Sequence, residues 1–439
     1  MRHLVALSLT PGPHVLTMRI MAGKRGWCSR LEVESWIPGT PDLMREDRNA
    51  RWRDYRQTSV RVEYRPEPDS SCEGGGREKL EAWMAAAGVE ARWIGITHHI
   101  HGAYFQSPNL PAWEQARPEY EEHISEWVRL LHRRRFSVLS WLPLTLWGPA
   151  WRAHPDWRVH FLVDPPDGAE SWGNNCCLNS PYGDALIRFC VESLRKFDLD
   201  GLWFDAAGLH GGAVPRAVGC ICPHCARRFL ADTGRTLPTG YDWSSPNFRH
   251  WVRWRQDNFA ANWQRLVDGI HAAVPQATVA FNHYHRENIG WNTAIALNPF
   301  GHDFIRGTEA DYDASRSGFY TRCMRAYDPG QVETWMGLSA TKHANLRGEV
   351  ETPRRVMDFA LGCCNAGGPP SMGGYTPLLK GLADEIRARA PYLNLPTVPH
   401  IALHVSNRPK PLCWAGIRLF SRPNGGIPIG LRPSVGIRF

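Results

Sequence analysis

Two carboxylates among histidines and tryptophans define the chemistry open to this sequence. Asp205 closes the apolar run 201–205 (GLWFD), where an ionised carboxylate is costly unless it lies at the open end of the strand. Glu309 stands in RGTEADYD with Asp311 and Asp313 nearby, and Glu333 precedes Trp335 by two residues, so both face one side of an extended strand. One carboxylate can attack or stabilise an oxocarbenium-like centre while a second protonates the leaving oxygen, as glycoside cleavage requires. Asp205 is the stronger candidate. Glu309 is the candidate acid/base, with Glu333 as its rival. Around them, His98, His99 and His283 can bond hydroxyls, while Tyr104 or Phe105, Trp141, Trp203 and Trp335 offer ring faces to a sugar.

Two further clusters suggest metals. In THHIHGAYF, the pair His99 and His101 has the spacing to hold a divalent ion, as in a metal-dependent amidohydrolase-type barrel. That chemistry recruits further histidines and often a lysine from later strand ends, and the 201–205 run supplies neither at its end. Cys220, Cys222 and Cys225 form a C-x-C-x-x-C cluster suited to tetrahedral zinc, with Cys176, Cys177 or His224 as the fourth ligand. A closed thiolate site of this kind is structural, so no cofactor is expected for catalysis; three free cysteines are the alternative.

These residues need a scaffold that gathers strand ends. Eight β-type runs, at 60–64, 92–97, 136–142, 201–205, 278–282, 303–307, 332–337 and 362–366, mostly alternate with helical stretches such as 77–87, 114–135 and 247–273. Ser180 is placed to cap a further helix, with Pro181 at its first position. Repeated right-handed βα units close at eight, so the fold class is α/β, a (β/α)8 TIM barrel. An open doubly wound sheet also alternates, but no G-x-G-x-x-G follows an early strand. The expected division is an irregular N-terminal lead-in over 1–55 that could form a strand layer, the barrel over 56–396, and a truncated C-terminal extension or loose tail over 397–439.

Composition narrows the partners. The chain has 439 residues, 43% of them hydrophobic and 21% charged, which suits a globular enzyme. The net charge of +8 is carried almost wholly by scattered arginines, with no dense basic block, so nucleic acid is not an expected partner. No run nears the ~20 apolar residues of a membrane span, and the N-terminus lacks a clean cleavage site. The 12 cysteines, in adjacent pairs and a tight triplet, do not resemble a spaced disulfide framework, which points to a reducing cytoplasm. An excess of 20 tryptophans and 19 histidines suits a polar, ring-shaped ligand such as an oligosaccharide or glycoside.

From about 57 to 396 the sequence resembles the glycoside hydrolases related to α-L-fucosidases, some of which join a barrel to a β-galactosidase-type trimerisation domain. The resemblance is carried by THHIHGAYFQSP (97–108), NSPYGDALIRFCVESLRKFDLDGLWFD (179–205), CICPHCARRF (220–229), DFIRGTEA (303–310) and CNAGGPPSMGG (364–374). It implies a retaining enzyme acting on a terminal sugar, with Asp205 as nucleophile, Glu309 as acid/base, and His98 and His99 on the sugar. The Cys segment is similar to one in thermophilic β-galactosidases. The trimerisation domain implies a homo-oligomer, although only its first strand, in HIALHVS after Pro399, is matched here. A non-catalytic carbohydrate-binding barrel is the remaining alternative.

Overall fold

A computed structural model of the chain describes residues 15–22, 27–34, 60–63, 81–98 except 83, 102–162, 174–205, 219–282 except 241, 304–309, 331–336, 370–372, 378–389 and 402–404. They fall in two compact units, one drawn from 1–42 and 396–439, the other from 43–395. In the first, β1 (Val15–Ala22) and β2 (Trp27–Glu34) form an antiparallel hairpin. Both strands fall within the N-terminal lead-in of 1–55.

The larger unit holds β3 (Val60–Glu63), β4 (Val89–Gly95), the short pair β5 (Thr97–His98) and β6 (Gly102–Ala103), and β7 (Ser137–Pro143). Next come β8 (Gly201–Asp205), β9 (Thr278–Asn282), β10 (Phe304–Glu309), β11 (Gln331–Met336) and β12 (Pro370–Met372). A last strand, β13 (Ala402–His404), pairs antiparallel with β2 in the smaller unit, which gives the strand after Pro399 a partner. Eight strands of the larger unit close into a barrel in the order β3-β4-β7-β8-β9-β10-β11-β12, each pair parallel.

The eighth strand corrects the sequence reading. It is Pro370–Met372, not 362–366, and the latter run lies outside the described residues. In the sequence, a strand opening on proline looks like a turn. Proline is nonetheless tolerated at a strand's first position, where its missing N–H costs least.

Side chains alternate across each strand, and the inward set is plain. Ala91 and Trp93 on β4, Leu139 and Trp141 on β7, Trp203 on β8 and Ala280 on β9 form one buried cluster inside the barrel. Trp93 and Trp203 stack with centroids 4.8 Å apart. The outward set packs against helices. Helix α1 (Glu119–Arg133) buries Ile124, Trp127, Val128 and Leu131, with acidic residues in its first turn and His132 and Arg133 in its last, as the helix dipole favours. It starts five residues later than the helical stretch expected from 114. Helix α2 (Gly148–Ala153) and α3 (Tyr182–Lys196) connect β7 to β8, while α4 (Pro223–Thr233) and α5 (Pro246–Ala273) connect β8 to β9. Helix α6 (Leu378–Arg389) follows β12. Pro181 caps α3 rather than opening it, and Ser180 Oγ accepts from Tyr182 N at 3.3 Å. Among the described residues, no helix is long and apolar enough to cross a membrane.

Candidate functional site

Gly201, Trp203 and Asp205 share one face of β8 by alternation, and Trp203 belongs to the barrel's interior cluster. Asp205 is therefore the last inward residue of its strand, at the C-terminal end of a parallel barrel, where such barrels place reactive groups. It is half-buried. Trp141 Nε1, on the neighbouring β7, donates to Asp205 Oδ2 at 3.0 Å. Register explains the reach: Trp141 lies beside Trp203 and Pro143 beside Asp205, so the indole leans one step along the strand to meet the carboxylate. Thr97 Oγ1 donates to the Trp141 carbonyl at 3.3 Å, and Leu144 N donates to the Asp205 carbonyl at 2.9 Å, which fixes both backbones.

The residues expected to surround a sugar divide into three groups. Trp141 is 4% exposed and turns its N–H to the Asp205 carboxylate. Trp203 is fully buried against Trp93, and forms the floor beneath the mouth rather than a stacking surface. Tyr104 is 5% exposed, with edge contacts to Trp113 and Tyr120 at 5.7 and 5.8 Å; Phe105 packs on Phe189 and Phe197. Both aromatics belong to the outer core. The cause is local: Gly102–Ala103 pairs back on Thr97–His98, which carries the following rings away from the mouth.

His98 stays half-buried at the end of that pair, stacked on Trp113 at 5.6 Å. Trp113 was not singled out from sequence; its signal was its place in the same post-β4 connection, where its N–H bonds the Ala103 carbonyl. Glu309 ends β10 and pairs in register with Trp335 on β11, while Glu333 pairs with Arg306. Glu309 is thus at a strand end, as Asp205 is, and Glu333 lies deeper along its own strand. His99, His101 and His283 lie outside the described residues.

The cysteine cluster is the second chemical centre. The sulfurs of Cys177, Cys220, Cys222 and Cys225 all lie within 4.8 Å of one another, and all four residues are buried. Cys177 is thereby the fourth member. Cys176 instead donates to the Trp147 carbonyl, and the His224 ring is bonded by Arg227. Cys177 Sγ and Cys225 Sγ are 3.4 Å apart and the thiols are free. A tetrahedral zinc with Zn–S bonds of about 2.3 Å has sulfurs ~3.8 Å apart, so this constellation fits the ion closely. The neighbouring sulfurs of Cys220, Cys222 and Cys225, and then burial, push the Cys177 thiol well above its ordinary value. A bound cation reverses that preference, since it makes the thiolates the favoured state.

Cys177 lies in the connection after β7; the other three lie in the connection after β8. Both connections leave the barrel end that carries Asp205. Between them runs 157–162: Cys177 N bonds the Trp157 carbonyl and Ile221 N the His160 carbonyl. A satellite core of Val159, Phe229, Phe248, Trp251 and Trp254 surrounds the sulfurs. Gly219 turns the chain into the cluster at φ 98°, where a Cβ would lie 2.8 Å from the Trp251 ring.

No protein-family model and no curated protein matches the sequence. Solved structures match the fold. An α-L-fucosidase isoenzyme 2 from Paenibacillus thiaminolyticus superposes with a TM-score of 0.53 at 18% identity, over 77% of this chain and 50% of that one. The cold-adapted β-galactosidase from Rahnella sp. R3 gives 0.52 at 16% identity, over 76% of this chain and 56% of that one. The β-galactosidase from the psychrophilic Marinomonas ef1 gives 0.52 at 10% identity, over 76% and 61%. The chain thus spans roughly half to three-fifths of the length of these proteins. What it shares with them at this identity is the barrel.

Proposed function

We propose that this chain is a (β/α)8 glycoside hydrolase that cleaves a terminal sugar, an α-L-fucoside or a similar hexoside, with retention. The observation that carries this reading is the strand-end carboxylate of Asp205, held by an indole N–H above an aromatic floor. Asp205 attacks the anomeric carbon as the glycosidic bond breaks and forms a glycosyl ester. Glu309 gives its proton to the departing oxygen, then takes one from the water that hydrolyses the ester. Retention requires the two carboxyl groups to stand about 5–5.5 Å apart. Trp141 keeps one oxygen of Asp205 bonded and its plane fixed, which favours attack from a single orientation. His98, backed by Trp113, contacts ring hydroxyls.

A zinc ion held by Cys177, Cys220, Cys222 and Cys225 completes the reading, as a structural staple between the two connections that leave β7 and β8. When bound it supplies cross-linking and no chemistry on the sugar.

A panel of nitrophenyl glycosides, assayed with the wild type and with Asp205→Asn, tests the assignment. Asparagine keeps the shape and loses the nucleophilic charge, so turnover on the preferred glycoside should fall by at least about 10³-fold. Undiminished turnover in the variant removes Asp205 from the mechanism.

A further inference from the structure

Cys225 sits at the end of an oriented chain of hydrogen bonds that starts on α5. Arg265 Nη2 donates to Asn262 Oδ1 at 3.3 Å. Asn262 Nδ2 donates to the Asn258 carbonyl at 2.9 Å and to Asn179 Oδ1 at 2.8 Å. Asn179 Nδ2 then reaches Cys225 Sγ at 3.2 Å. The direction of this chain is forced. A guanidinium can only donate and a backbone carbonyl can only accept, so both ends of the Asn262 amide are assigned. With an N–H of Asn262 aimed at it, the facing atom of Asn179 must be its oxygen, and the N–H of Asn179 is left pointing at sulfur.

We infer that the Arg265–Asn262–Asn179 chain is a built-in donor to the Cys225 sulfur, which it holds as a hydrogen-bond acceptor and thereby tightens the cluster's grip on a bound zinc ion. The inference rests on the metal reading above and goes beyond it by naming residues that ligate nothing. A thiolate on zinc is electron-rich; an N–H aimed at it spreads that charge and fixes the direction of the lone pair that faces the metal. Cys225 also lies in the first turn of α4, so the same bond links that helix to the residues just before α3 and, through Asn262, to the middle of α5. Arg265 is braced in turn: Nη2 donates to the Leu178 carbonyl at 2.7 Å and Nη1 to Asp184 Oδ1 at 3.1 Å. Leu178 and Asn179 directly follow Cys177, so the brace also fixes the backbone beside a second sulfur.

The test uses the full-length protein, its metal content measured after purification and after reconstitution with zinc or cobalt(II). Release of zinc to a chromophoric chelator and the thiolate-to-cobalt charge-transfer bands are then compared across variants. For Asn179→Leu the zinc release should quicken by about 10–100-fold, and the charge-transfer bands should move to lower energy because the sulfur has lost its donor. Asn262→Leu leaves Asn179 in place but unfixes its orientation, so the same two changes should appear with smaller size. That variant keeps the test decisive should Asn179→Leu fail to fold. A change confined to thermal stability, with release rates and bands equal to the wild type, overturns the donor role and leaves the metal centre standing. A wild-type protein that takes up neither metal overturns both.

Discussion

Two aspartates stand at opposite ends of one strand, and their surroundings differ sharply. Asp200, just before β8, is 8% exposed and is held on several sides. Val138 N donates to its Oδ2 at 2.8 Å, and His132 Nε2 lies 3.2 Å from the same oxygen. Its backbone joins in, through Asp200 N to the Val138 carbonyl and Thr278 N to the Asp200 carbonyl. Asp205, five residues on, is half-buried and receives a neutral indole N–H from Trp141. One aspartate is tied through its carboxylate to β7 and the end of α1, and through its backbone to β7 and β9. The other is aimed from a strand tip over an apolar floor. Parallel barrels separate stability from chemistry in this way, with the bottom face closing the structure and the top face left to react.

The contrast can be broken from either end. Asp205→Asn should cost at least about 10³-fold in turnover while the melting temperature stays close to the wild type, because the amide oxygen can still accept the Trp141 indole N–H. Asp200→Ala should do the reverse. It strands the Val138 N–H and the His132 edge, so denaturant unfolding should show a loss of about 2–3 kcal/mol, with kcat per folded molecule unchanged. A large fall in kcat for Asp200→Ala, in a protein that remains folded, would erase the division between the two ends. Trp141→Phe gives the smallest effect and sharpens the picture at the top. It keeps most of the buried ring and deletes the N–H, so kcat should fall by about tenfold with little change in KM. A rise in KM alone would instead make Trp141 a sugar-contacting residue.

Much of this arrangement is legible in the amino-acid sequence. The strands 201–205 and 278–282 coincide with β8 and β9, because buried parallel strands are short apolar runs bounded by polar residues. The place of Asp205 followed from the same run. Tyr104 and Trp203 were less legible, since an aromatic residue near a strand end can face the mouth, the floor or the outer layer. Only the β5–β6 pairing and the Trp93 stack decide between them. Cys177 was one of three candidates for a fourth ligand. The spacing of 220, 222 and 225 is local and visible, whereas the approach of 177 depends on the connection after β7 folding back along 157–162. The donor chain on Cys225 was invisible for a related reason, as Asn179, Asn262 and Arg265 meet only when α5 packs beside α3.

The most direct measurement is to trap the intermediate. Incubation with a 2-deoxy-2-fluoro glycosyl fluoride of the preferred sugar slows both steps and lets a glycosyl ester accumulate, which intact-mass and peptide mass spectrometry can locate. A single added sugar is expected, on the peptide that contains Asp205, with activity lost in proportion to labelling. A label on any other carboxylate, or an enzyme that turns over with inversion and never labels, would contradict it.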